Sequence, residues 1–91
     1  SFTATVQTPL QALQSLITVK ENMGLPHGIT TSLDAKLNAA SDSLDSGDGK
    51  TAKNQLNAFI SEVNAQTGKK ITQAQANQLI SGAQNIINSI Q

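Results

Sequence analysis

Residues 52–63 read AKNQLNAFISEV, and the apolar residues Ala52, Leu56, Phe59 and Val63 follow one another at steps of four, three and four. Because an α-helix has about 3.6 residues per turn, these steps place the four side chains in one stripe along a single helix face. The same steps occur three more times, in the sets Ala12, Leu16, Val19 and Met23; Leu33, Leu37, Ala40 and Leu44; and Ala76, Ile80, Ala83 and Ile87. The spacing therefore predicts four amphipathic helices.

Capping residues predict where these helices begin. A hydroxyl residue followed by proline, Thr8-Pro9, is typical of a helix start, and Asp48 or Gly49 can cap the third helix. Thr72 and Gln75 have the spacing of a capping box at the start of the fourth. The predicted helices are Pro9 to Met23; Ile29, Thr30 or Thr31 to Leu44 or Ser46; Lys50 to Gln66; and Gln73 to near the C-terminus.

Short connections between these helices predict an all-α, up-down four-helix bundle over residues 9–91, because short loops place consecutive helices antiparallel. Residues 1–8 alternate apolar and polar side chains, with Phe2, Ala4 and Val6 on one side, and we expect an extended lead-in or linker there. The expected core consists of Leu13, Leu16, Leu33, Leu37, Leu56, Phe59, Ile60, Val63, Leu79, Ile80 and Ile87.

Charge and composition exclude several classes of protein. Six lysines balance six acidic residues and there is no arginine, which argues against a nucleic-acid surface and against a basic membrane-binding helix. The sequence has no apolar run of about 18 residues, so we expect no membrane insertion. It has no cysteine for a disulfide framework. Because it starts at Ser1 rather than methionine, we expect a processed chain or a piece of a longer one.

One stretch of the sequence resembles a known family. The run Gln55 to Ile60, the run Gly68 to Thr72, and the pairs Gln75-Ala76 and Leu79-Ile80 are similar to the FIMAH-type helical module. The resemblance covers roughly residues 10–90. The motif spells Phe-Ile-Met-Ala-His; this chain matches Phe59-Ile60 and then departs, so the motif histidine is absent and no role of it carries over. The resemblance implies a module near the C-terminus of secreted, multidomain bacterial proteins.

An acidic turn offers a candidate metal site. Asp42, Asp45 and Asp48 lie close together in sequence among Gly47 and Gly49, and carboxylate oxygens are typical calcium ligands. The spacing is not that of an EF-hand loop, so a solvated helix end followed by an N-cap is the alternative interpretation. Calcium is therefore the only cofactor to consider, and none is otherwise predicted.

The second candidate is an uncharged amide surface. No residue from 71 to 91 is charged, and the polar face of the fourth helix carries Gln73, Asn77, Gln84 and Asn88. Side-chain amides both donate and accept hydrogen bonds, so this face could contact a neighbouring domain or a glycan. A glycan site usually contains aromatic residues, and the chain has neither Trp nor Tyr. The alternative is an ordinary solvated face.

The sequence does not predict an enzyme. The single histidine, His27, lies in a Pro-His-Gly turn without a nearby nucleophile or further metal ligands. We expect a non-catalytic accessory or interaction module of a larger secreted or cell-surface protein, with extracellular or cell-surface localisation. Its partners would be neighbouring domains or cell-surface components, and the isolated module should be monomeric. A ligand-binding module for glycan or calcium is the alternative function.

Overall fold

The computed structural model describes residues 9–90, and within them the chain forms four α-helices. Their bounds are α1 Pro9–Asn22, α2 His27–Asp45, α3 Gly49–Gln66 and α4 Gln73–Ser89. Each helix packs against the next one along the chain, and α4 packs back against α1. The Gln75 side-chain amide lies 3.5 Å from the Met23 carbonyl oxygen, which places the start of α4 beside the end of α1. The predicted four-helix bundle is confirmed.

The predicted capping box at the start of α4 is confirmed. The Gln75 backbone N–H donates to Thr72 Oγ1 at 3.1 Å, and the Thr72 N–H donates to Gln75 Oε1 at 3.0 Å. Two of the N–H groups that lack a partner inside the helix are thereby satisfied. Ile71, directly before the cap, is buried and closes the α3–α4 connection by donating its N–H to the Gln66 carbonyl.

Three predicted helix starts or ends differ from the structure, one of them being that α3 begins at Gly49 rather than Lys50. Helix α1 ends at Asn22, one residue early, and Gly24 follows with a φ of +67°. Helix α2 begins at His27, before the predicted start at Ile29 to Thr31. Pro26 is its N-cap with extended backbone, and its carbonyl accepts the N–H of Thr30 at 3.0 Å. No side chain caps this start, so the capping signals used to predict helix starts gave no indication of it.

Helices α2 and α3 supply the centre of the core as predicted. Every member of the α3 stripe is fully buried, including Phe59. On α2 the first three residues of the stripe are fully buried, and Leu44 is partly buried against them. Burying a large apolar side chain contributes roughly 1.5–3 kcal/mol, so these two helices carry much of the stabilisation.

Helices α1 and α4 are rotated relative to the predicted stripes, although the predicted core residues Leu13, Leu16 and Leu79 are buried as expected. On α1 the buried residues are Leu13, Leu16 and Lys20, whereas Val19 is 40% exposed. The buried residues of α4 and its C-cap are Ala76, Leu79, Ala83, Ile86 and Ile90. Three residues expected in the core are only partly buried against it, namely Ile60, Ile80 and Ile87.

Residues 1–8 lie outside the described part of the chain, and with them the predicted lead-in and the Thr8 cap. None of the four described helices combines the length and hydropathy needed to cross a membrane.

Candidate interaction groove between α1 and α4

A buried ion pair accompanies the rotation of α1. The Lys20 side chain has no exposed surface, and its Nζ lies 2.7 Å from Asp34 Oδ1 on α2. Successive residues of a helix point about 100° apart, so turning Lys20 toward the core turns Val19 away from it. Ala12, Val19 and Met23, which belong to the apolar stripe of the sequence pattern but not to the expected core, therefore line the space between α1 and α4.

That space is a groove with a volume of about 840 Å³. Helix α1 lines it with Ala12, Ser15, Leu16, Val19, Asn22 and Met23, and helix α4 lines it with Gln78, Ser81, Gly82, Asn85, Ile86 and Ser89. None of these lining residues has an ionisable side chain. We call this surface the α1/α4 groove. Its lining combines apolar side chains with amide and hydroxyl groups.

Close approach of the two helices forms part of the lining. A Cβ atom built on Gly82 would lie only 2.8 Å from Leu16 Cδ1, closer than real Cβ contacts. Glycine thus leaves room for the Leu16 side chain beside the α4 backbone. Ile86, one turn further along α4, is almost completely buried. A small residue at position 82 and a large one at 86 hold the helices at the spacing that the groove requires.

The predicted amide surface lies beside the groove rather than in it. Gln73, Asn77, Gln84 and Asn88 are all exposed, and the Gln73 amide donates to Asn77 Oδ1 at 2.9 Å. None of the four lines the groove, where Gln78 and Asn85 are found instead. Those four residues therefore remain a prediction, and the small residues Ser81 and Gly82 mark the separate part of α4 that lines the groove.

The chain can now be compared with known proteins. The model of the FIMAH domain family matches residues 10–88, which is most of the chain. This chain belongs to the FIMAH domain family. No significant match to it was found among curated proteins or among solved structures.

The family resemblance of this FIMAH domain is carried mainly by its core. Leu56, Phe59 and Leu79 are fully buried, and Thr72 with Gln75 forms the helix cap. These residues specify packing and helix starts, and none of them lines the α1/α4 groove. Family membership thus supports the fold, whereas the groove is a property read from this chain's own side chains.

The acidic turn of the FIMAH domain is organised by a helix cap. Asp48 accepts the Thr51 hydroxyl at 2.7 Å and the Thr51 backbone N–H at 3.1 Å. These two hydrogen bonds, the hydroxyl first, hold the pKa of Asp48 below its ordinary value of 3.8. Asp42 and Asp45 are exposed near the end of α2. Across residues 9–90, no three acidic, histidine or cysteine side chains are placed to share a metal ion.

His27 is an exposed residue in the first turn of α2. It borders a second, smaller cavity of about 210 Å³ together with Gly24, Leu25 and Thr30. The Thr30 hydroxyl there donates to the Leu25 carbonyl at 3.3 Å, which ties the α1–α2 connection to α2. This arrangement explains a stable turn, and within the described residues His27 belongs to no cluster of three metal-ligating side chains.

Proposed function

We propose that this FIMAH domain is a non-catalytic interaction module of a larger secreted or cell-surface protein. We further propose that it contacts a neighbouring part of that protein through the α1/α4 groove. The observation that carries the proposal is the stripe Ala12, Val19 and Met23, which lines the groove, with Ala12 and Met23 only partly buried against the core. Val19 is the one large apolar residue of the described chain that is exposed.

The lining of the groove indicates the chemistry of its partner. A charged group entering it would lose hydration without meeting an opposite charge, which is costly. Asn22, Gln78 and Asn85 instead offer amides that both donate and accept hydrogen bonds. An uncharged segment with apolar residues on one side would match both the apolar and the polar parts of the lining.

The groove supports this proposal better than the alternatives. General acid–base catalysis requires a titratable side chain at the reacting atoms, and the lining residues named above provide none. A glycan usually packs against an aromatic ring, and none of the described residues that line the groove is aromatic. Calcium binding at Asp42, Asp45 and Asp48 concerns the end of α2 and the start of α3, which do not line the groove, and is tested separately.

Met23 allows a direct test, because it is the single methionine of the chain and it lines the groove. Its oxidation to the sulfoxide by peroxide depends on access of the oxidant, so the rate reports how well the groove is covered. The rate is measured by mass spectrometry in the longer natural protein and in a chain shortened to residues 8–91. The shortened chain keeps Thr8 and all four helices, and its thermal melt confirms that it folds.

We expect Met23 to oxidise several-fold more slowly in the longer protein than in residues 8–91. The matched control is Val19→Asp in the longer protein, which should place a charge in the groove and raise the rate to that of the shortened chain. Equal rates in the longer protein and in residues 8–91 would show an open groove and refute the proposed function.

A further inference from the structure

The two walls of the α1/α4 groove differ in chemistry and share one period. The α1 wall is built on apolar residues at steps of four, three and four, namely Ala12, Leu16, Val19 and Met23. The α4 wall is built on amide and hydroxyl residues at steps of three, four and four, namely Gln78, Ser81, Asn85 and Ser89. The lining is completed on α1 by Ser15 and Asn22 and on α4 by Gly82 and Ile86. Each wall thus offers about one contact per helical turn, the spacing at which the side-chain ridges of a third helix would interlock.

Both walls extend over three helical turns. Each wall advances eleven residues, from Ala12 to Met23 and from Gln78 to Ser89, which at 1.5 Å per residue is about 17 Å. The Gln75 side-chain amide lies 3.5 Å from the Met23 carbonyl oxygen, so the Gln78 end of α4 lies at the Met23 end of α1. The two walls therefore run side by side over the same length.

Backbone hydrogen bonding favours a helix over an extended segment as the occupant. An extended segment about 17 Å long has about five residues, and it would direct about ten backbone N–H and C=O groups sideways at the two walls. Those walls are helices, whose own backbone groups are largely bonded within each helix. A buried backbone group without a partner costs free energy. A helix brings its backbone hydrogen bonds with it and needs only side-chain contacts from the walls.

The size and charge of the groove favour a helix of the same protein over a second copy of the domain. The groove is about 17 Å long and two helices wide, about 20 Å, which is about 340 Å² in projection. Each partner in a stable complex of free proteins buries about 800 Å². A segment of the same chain needs less contact area, because its tether raises its effective concentration. Since none of the described lining residues carries a charge, the face of the helix that enters the groove should be uncharged.

We infer that the α1/α4 groove binds an amphipathic helix of about three turns from elsewhere in the longer protein, lying along α1 and α4. Its apolar stripe packs on the α1 wall, and uncharged polar side chains beside that stripe bond to the amides of the α4 wall. This inference rests on the proposed function and names the kind of segment that the groove holds. A helix this short is marginal in water by itself, so docking in the groove also stabilises the helix.

Photo-crosslinking in the longer protein measures the conformation of the occupant. Ser15 and Asn22 are exposed, line the groove and are seven residues apart on α1, which is about 10 Å along the helix axis. A photoreactive phenylalanine derivative replaces each of them in turn, and mass spectrometry locates the residue that each one captures. The matched control replaces Gln14, which is exposed on α1 but does not line the groove. Thermal melts confirm that all three variants fold.

We expect positions 15 and 22 to capture residues about seven apart in one segment of the same molecule, because a helix beside α1 advances at the same 1.5 Å per residue. An extended occupant would give captured residues about three apart and would overturn the inference. Capture from another copy of the protein would overturn it as well.

A proline substitution gives a second readout of the same inference. Proline at the centre of the captured segment breaks a helix and should raise the Met23 oxidation rate several-fold. Alanine at the same position should change the rate far less. Equal Met23 rates with proline and with alanine would contradict a helical occupant.

The inference and the proposed function fail in distinguishable ways. If Met23 is protected in the longer protein but the captured residues lie about three apart or in different segments, the proposed function stands and the inference falls. If positions 15 and 22 capture no more than position 14, and Met23 is as reactive as in residues 8–91, the groove is open and both fall.

Discussion

Lys20 Nζ lies 2.7 Å from Asp34 Oδ1, and the Lys20 side chain is fully buried while Asp34 is 35% exposed. The contact is a charge pair, since the ammonium is not aligned for a hydrogen bond. Taking an ammonium group out of water costs several kcal/mol, and a nearby carboxylate offsets this only in part. The pair ties α1 to α2 in the rotation that leaves Val19 outside the core.

Removing Asp34 alone should therefore cost more than removing both partners, because it leaves the buried Lys20 charge unpaired. We expect Asp34→Ala to lower the free energy of unfolding by about 1–3 kcal/mol, below the ~3–5 kcal/mol of a fully enclosed pair, because Asp34 is partly exposed. Lys20→Met should be close to neutral or stabilising. Urea melts of the two single variants and the double variant measure the coupling. If Asp34→Ala and the double variant lose the same free energy of unfolding, the loss in Asp34→Ala does not come from an unpaired Lys20 charge.

Phe59 is the aromatic residue at the centre of the core, and its exposed fraction is 0%. We expect Phe59→Ala to cost roughly 3–5 kcal/mol, because the substitution loses buried surface and leaves a cavity. The matched control is Ile60→Ala, because the neighbouring Ile60 is only partly buried. We expect it to lower the free energy of unfolding by a clearly smaller amount. A loss below about 1 kcal/mol for Phe59→Ala in a urea melt would mean that the α3 stripe does not form the core.

The rotation of α1 shows where the sequence was sufficient and where it was not. The α2 and α3 stripes followed from the sequence spacing, because only one rotation of each helix buries its apolar residues. The Thr72 cap followed from the spacing of Thr72 and Gln75. On α1, two neighbouring stripes share Leu16 and differ by one residue of rotation. Spacing favoured the stripe without Lys20, since lysine is rarely buried. The stripe that buries Lys20 is possible because Asp34, on α2, pairs with the Lys20 charge.

The same ambiguity affected α4. Leu79-Ile80 and Ile86-Ile87 are adjacent pairs of large apolar residues, so either member of each pair could face the core. Packing against α1 and α3 selected Leu79 and Ile86. The groove could not be predicted for the same reason. It is produced by the rotations of two helices, each of which depends on contacts with its neighbours.

The ion pair between Lys36 and Glu62 predicts a dependence of stability on pH. Lys36 Nζ lies 2.8 Å from Glu62 Oε1 across α2 and α3. Burial by itself would raise the pKa of Glu62, but the adjacent Lys36 ammonium and the polar Ser32 hydroxyl lower it below the ordinary value of 4.5. The folded state thus binds this proton less readily than the unfolded state, and the pair stabilises the fold above pH 4.5.

We expect this stabilisation to be lost as pH falls below 4.5 and through the lowered pKa of the folded state. Its size should be about 0.3–1 kcal/mol, because Lys36 is one-third exposed and water screens the pair. The measurement compares urea melts of the unsubstituted chain and Glu62→Gln between pH 7 and pH 3. In a Lys36→Met background, Glu62→Gln should no longer change the free energy of unfolding in this pH-dependent way. A difference that persists unchanged at pH 3 would rule out Glu62 as its source.

The acidic turn predicts the outcome of a calcium titration. We expect the backbone amide shifts of Gly47 and Gly49 to stay unchanged at millimolar calcium, because Asp48 already accepts two hydrogen bonds from Thr51. Asp42 and Asp45, on the α2 side of the turn, do not converge with it on a common point. The matched comparison is Asp48→Asn, which keeps a cap but removes the charge. A saturable shift in the unsubstituted chain that Asp48→Asn abolishes would establish the calcium site instead.

The rotation of α1 is the claim on which the groove and both proposals depend, and one pair of urea melts tests it most directly. We expect Leu13→Ala to cost roughly 2–5 kcal/mol, because Leu13 is fully buried. Val19→Ala should cost less than about 1 kcal/mol, because Val19 is 40% exposed and lies outside the core. Val19→Ala costing as much as Leu13→Ala would place Val19 in the core, and the α1/α4 groove would then lose its apolar stripe.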